Sequence, residues 1–135
     1  MSIILGIDVG GSTTKIVGFQ SDKSLVDTVQ VKAGDQITSM YGAIGSFLRK
    51  ARLSLKEVSK IVLTGVGASY FQEDIYDIPT VKMEEFQAIG YGGLKLSGLT
   101  DALVVSMGTG TAYVRAGKDG MKHIGGSGVG GGTLM

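Results

Sequence analysis

Two short glycine-rich segments, each set directly behind an apolar run, constrain this chain more than any other feature. The first is Ile7-Asp8-Val9-Gly10-Gly11-Ser12-Thr13-Thr14-Lys15, which follows the apolar run from Ile3. The second is Met107-Gly108-Thr109-Gly110-Thr111, about a hundred residues later and directly behind Leu103-Val104-Val105. An apolar run that stops at glycines reads as a buried strand ending in a tight turn. Glycine lets such a turn expose backbone N–H groups, because no Cβ stands in the way.

The other properties narrow the class. The chain has 135 residues, 43% of them hydrophobic, enough for one modest core. A formal charge of +1 gives no electrostatic reason to expect nucleic acid or an acidic membrane surface as a partner. Cysteine is absent, so disulfides, thiolate metal sites and cysteine nucleophiles are excluded within this chain. No apolar run approaches a membrane span and the start reads straight into a strand, so a cytoplasmic protein is expected.

Along the chain, Ile3–Ile7, Lys15–Phe19 and Leu25–Val31 read as three consecutive antiparallel strands, an unusual start for a Rossmann domain. Asp35 reads as the N-cap of a helix with Ile37, Met40, Tyr41, Ile44, Phe47, Leu48 and Ala51 on one face. Arg49, Lys50 and Arg52 crowd its C-terminal end, where the helix dipole favours cations. Ser54 and Glu57 fit a capping box, and Lys60–Thr64 is the next buried strand. A short strand is expected at Thr80–Met83 after the turn at Pro79. A helix then begins at Glu84–Phe86, with Phe86, Ile89, Gly90 and Gly93 on one side. Ala102–Val105 is a further core strand, and Thr111–Arg115 with Met121–Ile124 forms a hairpin around residues 116–120. No internal repeat is evident.

Ten of the 23 glycines lie between Gly108 and Gly132. Residues 125–133 read as too glycine-rich for a strand or helix interior. They are either a linker or a loop that opens a helix at a phosphate. On the second reading the chain is a fragment, cut just behind a functional loop.

The chemistry-bearing residues follow from this layout. The first loop offers backbone N–H groups, the hydroxyls of Ser12, Thr13 and Thr14, and the charge of Lys15. Asp8 at the strand end is placed to hold Mg²⁺ through water. An ordinary hairpin turn would use the same Gly-Gly pair, and the spacing is that of neither a P-loop nor a dinucleotide fingerprint. Two such loops facing each other would hold a polyphosphate from both sides, which points to a nucleotide-dependent phosphotransferase or ATPase. Glu84 and Glu85 at a helix start are most simply complements to its dipole; the functional alternative is a general base. His123 is the single histidine, and a lone histidine is more often structural or solvated than catalytic.

In this order the elements resemble the actin, Hsp70 and sugar-kinase superfamily, and within it the type II pantothenate kinases. The residues that carry the resemblance are Gly6–Ser12 with Lys15–Val17, Leu63-Thr64-Gly65, Glu85-Phe86 with Ala88, Gly108–Thr111, Gly125-Gly126 and Gly130–Thr133. The resemblance implies an α/β, ribonuclease H-like lobe with a mixed sheet flanked by helices. It implies a two-lobed protein, with residues 1–110 as the first lobe and 111–135 as a truncated start of the second. By the same resemblance, Gly10, Gly11, Ser12, Thr13, Thr14 and Lys15 line the β- and γ-phosphates of ATP, and Asp8 sits near Mg²⁺. Glu85 is the base for the pantothenate hydroxyl. Thr109, Gly110, Gly131, Gly132 and Thr133 approach the nucleotide, and Thr111 and His123 meet the substrate.

His123, preceded by Lys122, stands where the family carries an arginine for the substrate carboxylate. Ser106 stands where many members have asparagine. The resemblance further implies a homodimer at full length, a coenzyme A-type feedback ligand, and weak or no activity for the isolated chain. Two other readings are a kinase of the same superfamily for a sugar or another hydroxyl compound, and an ATP-driven activator of a 2-hydroxyacyl-CoA dehydratase. The activators hold an iron–sulfur cluster on cysteines, which this chain lacks. An actin-like assembly protein would have no need of Glu85.

Overall fold

A computed structural model describes residues 2–108 and 110–130, and the chain divides into two compact units between Met83 and Glu84. The first unit opens with β1 (Ile3–Val9), β2 (Thr13–Gln20) and β3 (Leu25–Lys32), an antiparallel meander as the sequence implied. Helix α1 (Gln36–Ala51) follows, then a 3-10 turn at Leu55–Glu57 and β4 (Val58–Thr64). A second 3-10 turn, Val66–Tyr70, leads towards β5 (Thr80–Lys82). The sheet order is β3-β2-β1-β4-β5, with β4 parallel to β1 and β5 parallel to β4. It is therefore a mixed sheet with β1 at its centre.

Strand alternation decides the two faces. Ile3, Leu5, Ile7 and Val9 of β1 are buried with Ile16, Ile61 and Leu63, and α1 brings Met40, Ala43, Ile44 and Phe47 to that layer. Phe47 packs so closely on Gly18 that a Cβ there would collide with its ring. Asp35 caps α1 as expected, its carboxylate accepting from the Thr38 N–H at 2.9 Å. Of the residues assigned to the apolar face, Ile37 is the exception, 44% exposed in the first turn. Arg52 closes the helix in the left-handed conformation, and Lys50 reaches Asp27 at 3.1 Å.

The second unit begins with α2 (Glu85–Ser97), followed by β6 (Ala102–Met107), β7 (Thr111–Gly117) and β8 (Gly120–Ser127). These three strands form a separate antiparallel sheet in the order β6-β7-β8. Helix α2 approaches it through glycines: a Cβ on Gly90 would strike Met121, and one on Gly93 would strike Val104. The face assigned to this helix from sequence is thus the packed one. Leu103, Val105, Met107, Tyr113 and Ile124 remain exposed.

Two expectations change. Residues 125–127 belong to β8 despite their glycine content, because Thr111, Ala112 and Tyr113 of β7 supply a ladder for them. Pairing there overrides the poor strand propensity of glycine. A repeat also exists at the level of topology. The meander β6-β7-β8 repeats β1-β2-β3, and the first connection in each holds three residues, 10–12 and 108–110. Sequence hides the repeat because matched positions differ in chemistry, Asp8 against Ser106 and Lys15 against Tyr113.

Candidate functional site

The β1–β2 loop is a built structure. The Gly10 N–H donates to the Thr13 carbonyl at 3.0 Å, and a Cβ on Gly10 would sit 2.7 Å from that same oxygen. Only glycine fits there without displacing backbone. The Ser12 carbonyl accepts from the Ala33 N–H at 2.9 Å, and the Gly10 carbonyl accepts from Gln36 Nε2 at 2.9 Å. Gly11 differs: it is exposed and a Cβ on it would meet nothing within 4 Å. The N–H groups of Gly11 and Ser12 have no acceptor among the described residues.

Beneath the loop, Asp8 lies opposite Lys15 on β2 and opposite Thr64 on β4. Burial pushes the Asp8 carboxyl above the ordinary carboxylate range, and the Lys15 ammonium partly offsets this. Thr64 Oγ1 is buried with no hydrogen-bond partner among the described residues. Gly65 follows at φ +93°, where a Cβ would collide with Asp8 Oδ1 and lie 2.5 Å from the Val9 carbonyl oxygen. Lys15 is exposed and Thr13 half-buried. Thr14 is fully buried on the α1 side with Val9 and Ile16, and its hydroxyl finds no partner there. Its side chain therefore faces the core and not the Asp8 side of the sheet.

In the second unit, Glu85 is exposed as the first residue of α2. Glu84 is the N-cap, with non-helical backbone and no side-chain capping bond. The Gly108 N–H donates to the Gly110 carbonyl at 2.8 Å. A Cβ on Gly110 would come within 2.9 Å of the Ser127 carbonyl oxygen, so this loop lies against the end of β8. Thr111 Oγ1 donates to the Val129 carbonyl at 2.6 Å, joining the two glycine-rich segments. His123 is exposed on β8 opposite Val114. Thr109, Gly131, Gly132 and Thr133 lie outside the described residues.

The structure thus gathers Asp8, Gly10–Ser12 and Lys15 at one end of one sheet. It gathers Gly110 and Thr111 with the segment behind β8 in the other. Sequence reading missed Gln36 and the unpaired Thr64 hydroxyl. The one signal for Gln36 was its place directly behind the Asp35 cap. Among the described residues no three His, Cys, Asp or Glu side chains cluster as a metal cage. No helix among them is long and apolar enough to cross a membrane.

No family model matches the chain. The type II pantothenate kinase of Staphylococcus aureus (strain USA300) is 30% identical over 136 residues, covering 97% of this chain and 46% of that protein. The chain spans about half the length of the curated relatives it matches. Among solved structures, component A of the (R)-2-hydroxyglutaryl-CoA dehydratase of Acidaminococcus fermentans has a TM-score of 0.75 at 18% identity, covering 90% of this chain and 46% of that one. The activator of the 2-hydroxyisocaproyl-CoA dehydratase of Clostridium difficile, solved with bound ADPNP, scores 0.69 at 15% identity over 92% of this chain and 44% of that one. A candidate N-acetylglucosamine kinase of Chromobacterium violaceum scores 0.65 at 17% identity over 91% and 48%. The chain therefore has an actin-like ATPase fold, shared with these solved structures, and it is a sequence relative of the type II pantothenate kinases.

Proposed function

We propose that this chain carries phosphate-binding and catalytic elements of a pantothenate kinase, which moves the γ-phosphoryl group of ATP to the pantothenate hydroxyl. The observation that carries the reading is Gly11. Among the described residues nothing requires a glycine there, yet its N–H and that of Ser12 have no acceptor among them at the head of the loop. Free N–H groups on a loop whose Gly10, Ser12 and Thr13 carbonyls are tied back form a cradle for anionic oxygens. In this reading Gly10–Lys15 form the segment that takes the β- and γ-phosphates, Lys15 adding charge, while Thr14, buried and paired with Val9 and Val31, only carries the strand. Gly110, with Thr109, Gly131, Gly132 and Thr133, approaches the nucleotide.

Asp8 fits Mg²⁺. A single half-buried carboxylate beside an unpaired hydroxyl suits an ion that keeps most of its waters and takes its remaining ligands from phosphates. When bound, Mg²⁺ supplies charge neutralisation to the phosphates. Glu85 accepts the proton of the substrate hydroxyl as that oxygen bonds to the γ-phosphorus and ADP departs with the bridging oxygen. Thr111, through its bond to Val129, positions the second loop, and His123 with Lys122 faces the pantothenate carboxylate.

The reading carries with it a cytoplasmic location, a homodimer and feedback by a coenzyme A-type ligand at full length. The test is phosphorylation of pantothenate by Mg-ATP in the full-length protein that carries this chain, beside Glu85→Gln. Turnover that collapses in the variant supports substrate and base together. ATP binding without turnover on pantothenate moves the reading to a kinase for a sugar or another hydroxyl compound. His123 favours that alternative, since an imidazole lacks the guanidinium's fork of parallel donors for a carboxylate. The dehydratase activators share the fold, but a chain without cysteine cannot supply thiolates to an iron–sulfur cluster.

A further inference from the structure

We propose that Gln36 is a positioning residue that holds the β1–β2 loop in its anion-accepting form, an inference that rests on the phosphate-binding reading of that loop. The Gly10–Gly11 peptide is the unit at issue. Its plane is rigid and trans, so its C=O and N–H point in opposite directions. Gln36 Nε2 holds the Gly10 carbonyl at 2.9 Å, and the Gly11 N–H must then point the other way, outward. Glycine stands on both sides of this peptide, so the backbone itself does little to prevent the plane from flipping. A flipped plane would present a carbonyl oxygen where the cradle needs a donor.

Two neighbouring carbonyls are tied by backbone groups, Ser12 to Ala33 and Thr13 to Gly10. The Gly10 carbonyl alone depends on a side chain, 26 residues further along. Because the partner is a carbonyl, the Gln36 amide must present its nitrogen. The site is fitted to that side chain. Gln36 is half-buried, and a Cβ on Gly67 would come within 3.2 Å of its Cδ and would also strike Val9. Gln36 is not needed to start α1, whose cap is the separate bond between Asp35 and Thr38.

The test uses the ¹⁵N-labelled chain, titrated with inorganic tripolyphosphate, with the Gly11 and Ser12 amide shifts as readout. In the wild type both amides shift and saturate. Gln36→Met keeps the side-chain length, removes the donor, and weakens the affinity about tenfold, the size of one net hydrogen bond. Its melting temperature stays near the wild-type value, a split that a merely structural role would not produce. If Gln36→Met is poorly folded, Gln36→Glu replaces it. That variant adds a favourable charge to the first helical turn, still cannot donate when ionised, and also loses affinity. A wild type that responds and a Met variant that responds equally overturn the role of Gln36 alone. A wild type with no response at Gly11 overturns the phosphate reading, and this proposal with it.

Discussion

Asp8 and Lys15 stand directly opposite each other across the antiparallel pair of β1 and β2. Despite that neighbour, burial dominates and raises the Asp8 carboxyl above its ordinary value. Such a group contributes stability that is fully present below the unfolded carboxylate value of 3.8 and is lost as pH rises through the raised folded value. Ionised Asp8 at neutral pH is therefore a cost to the fold. Asp8→Asn is expected to melt higher than wild type at pH 7, and the difference to vanish near pH 3. Thermal melts at both values check this. A variant that melts lower at pH 7 would mean that Lys15 stabilises the carboxylate more than burial opposes it.

The two glycines of the first loop are expected to separate fold from function. Gly10→Ala forces a Cβ against the Thr13 carbonyl and should cost about 1–3 kcal/mol, read by urea unfolding. Gly11→Ala meets open space and should stay within about 0.5 kcal/mol of wild type. The same Gly11 variant should bind tripolyphosphate more weakly, because its methyl group stands in the path of the anion. Equal binding by Gly11→Ala would leave that glycine without a functional reason.

Asp35 has the opposite pH signature to Asp8. The Thr38 hydroxyl, and secondly the Thr38 backbone N–H, hold its carboxyl below the ordinary range. Its contribution is present above the unfolded value of 3.8 and is lost as pH falls through the lowered folded value. Asp35→Ala should lower the melting temperature at pH 7 and make no difference once both states are protonated. A melting difference independent of pH would assign the effect to helix packing instead of the cap.

Phe47 is fully buried and its ring lies on Gly18. Phe47→Ala should cost about 3–5 kcal/mol, the range for a large aromatic removed from a packed core. Gly18→Ala attacks the same contact from the other side and should also destabilise. In the double variant the methyl group partly occupies the space left by the ring, so the two losses should be less than additive. Chemical unfolding of the three variants completes the cycle.

Most local structure was legible in this chain because the local signals agree with one another. Alternation over Leu25–Val31, the Asp35 cap and the apolar spacing from Met40 to Phe47 each imply the element observed. The signals failed where pairing decided the outcome. Gly125 and Gly126 are strand because β7 runs alongside them.

The sequence by itself determined the order of elements, the two glycine-rich turns behind apolar strands, and the absence of cysteine chemistry. Composition and period carry that information, since each residue reports its own backbone freedom and burial. Only the tertiary structure decided which turn residues serve the fold and which stand free. Gly10 is required by the Thr13 carbonyl, while Gly11 faces open space. Thr14 turns into the core, and Thr111 is spent on Val129. Gln36 reaches back across 26 residues to the Gly10 carbonyl. These distinctions depend on which groups meet across the sheet and the helix start, and no local pattern encodes a partner so far away along the chain.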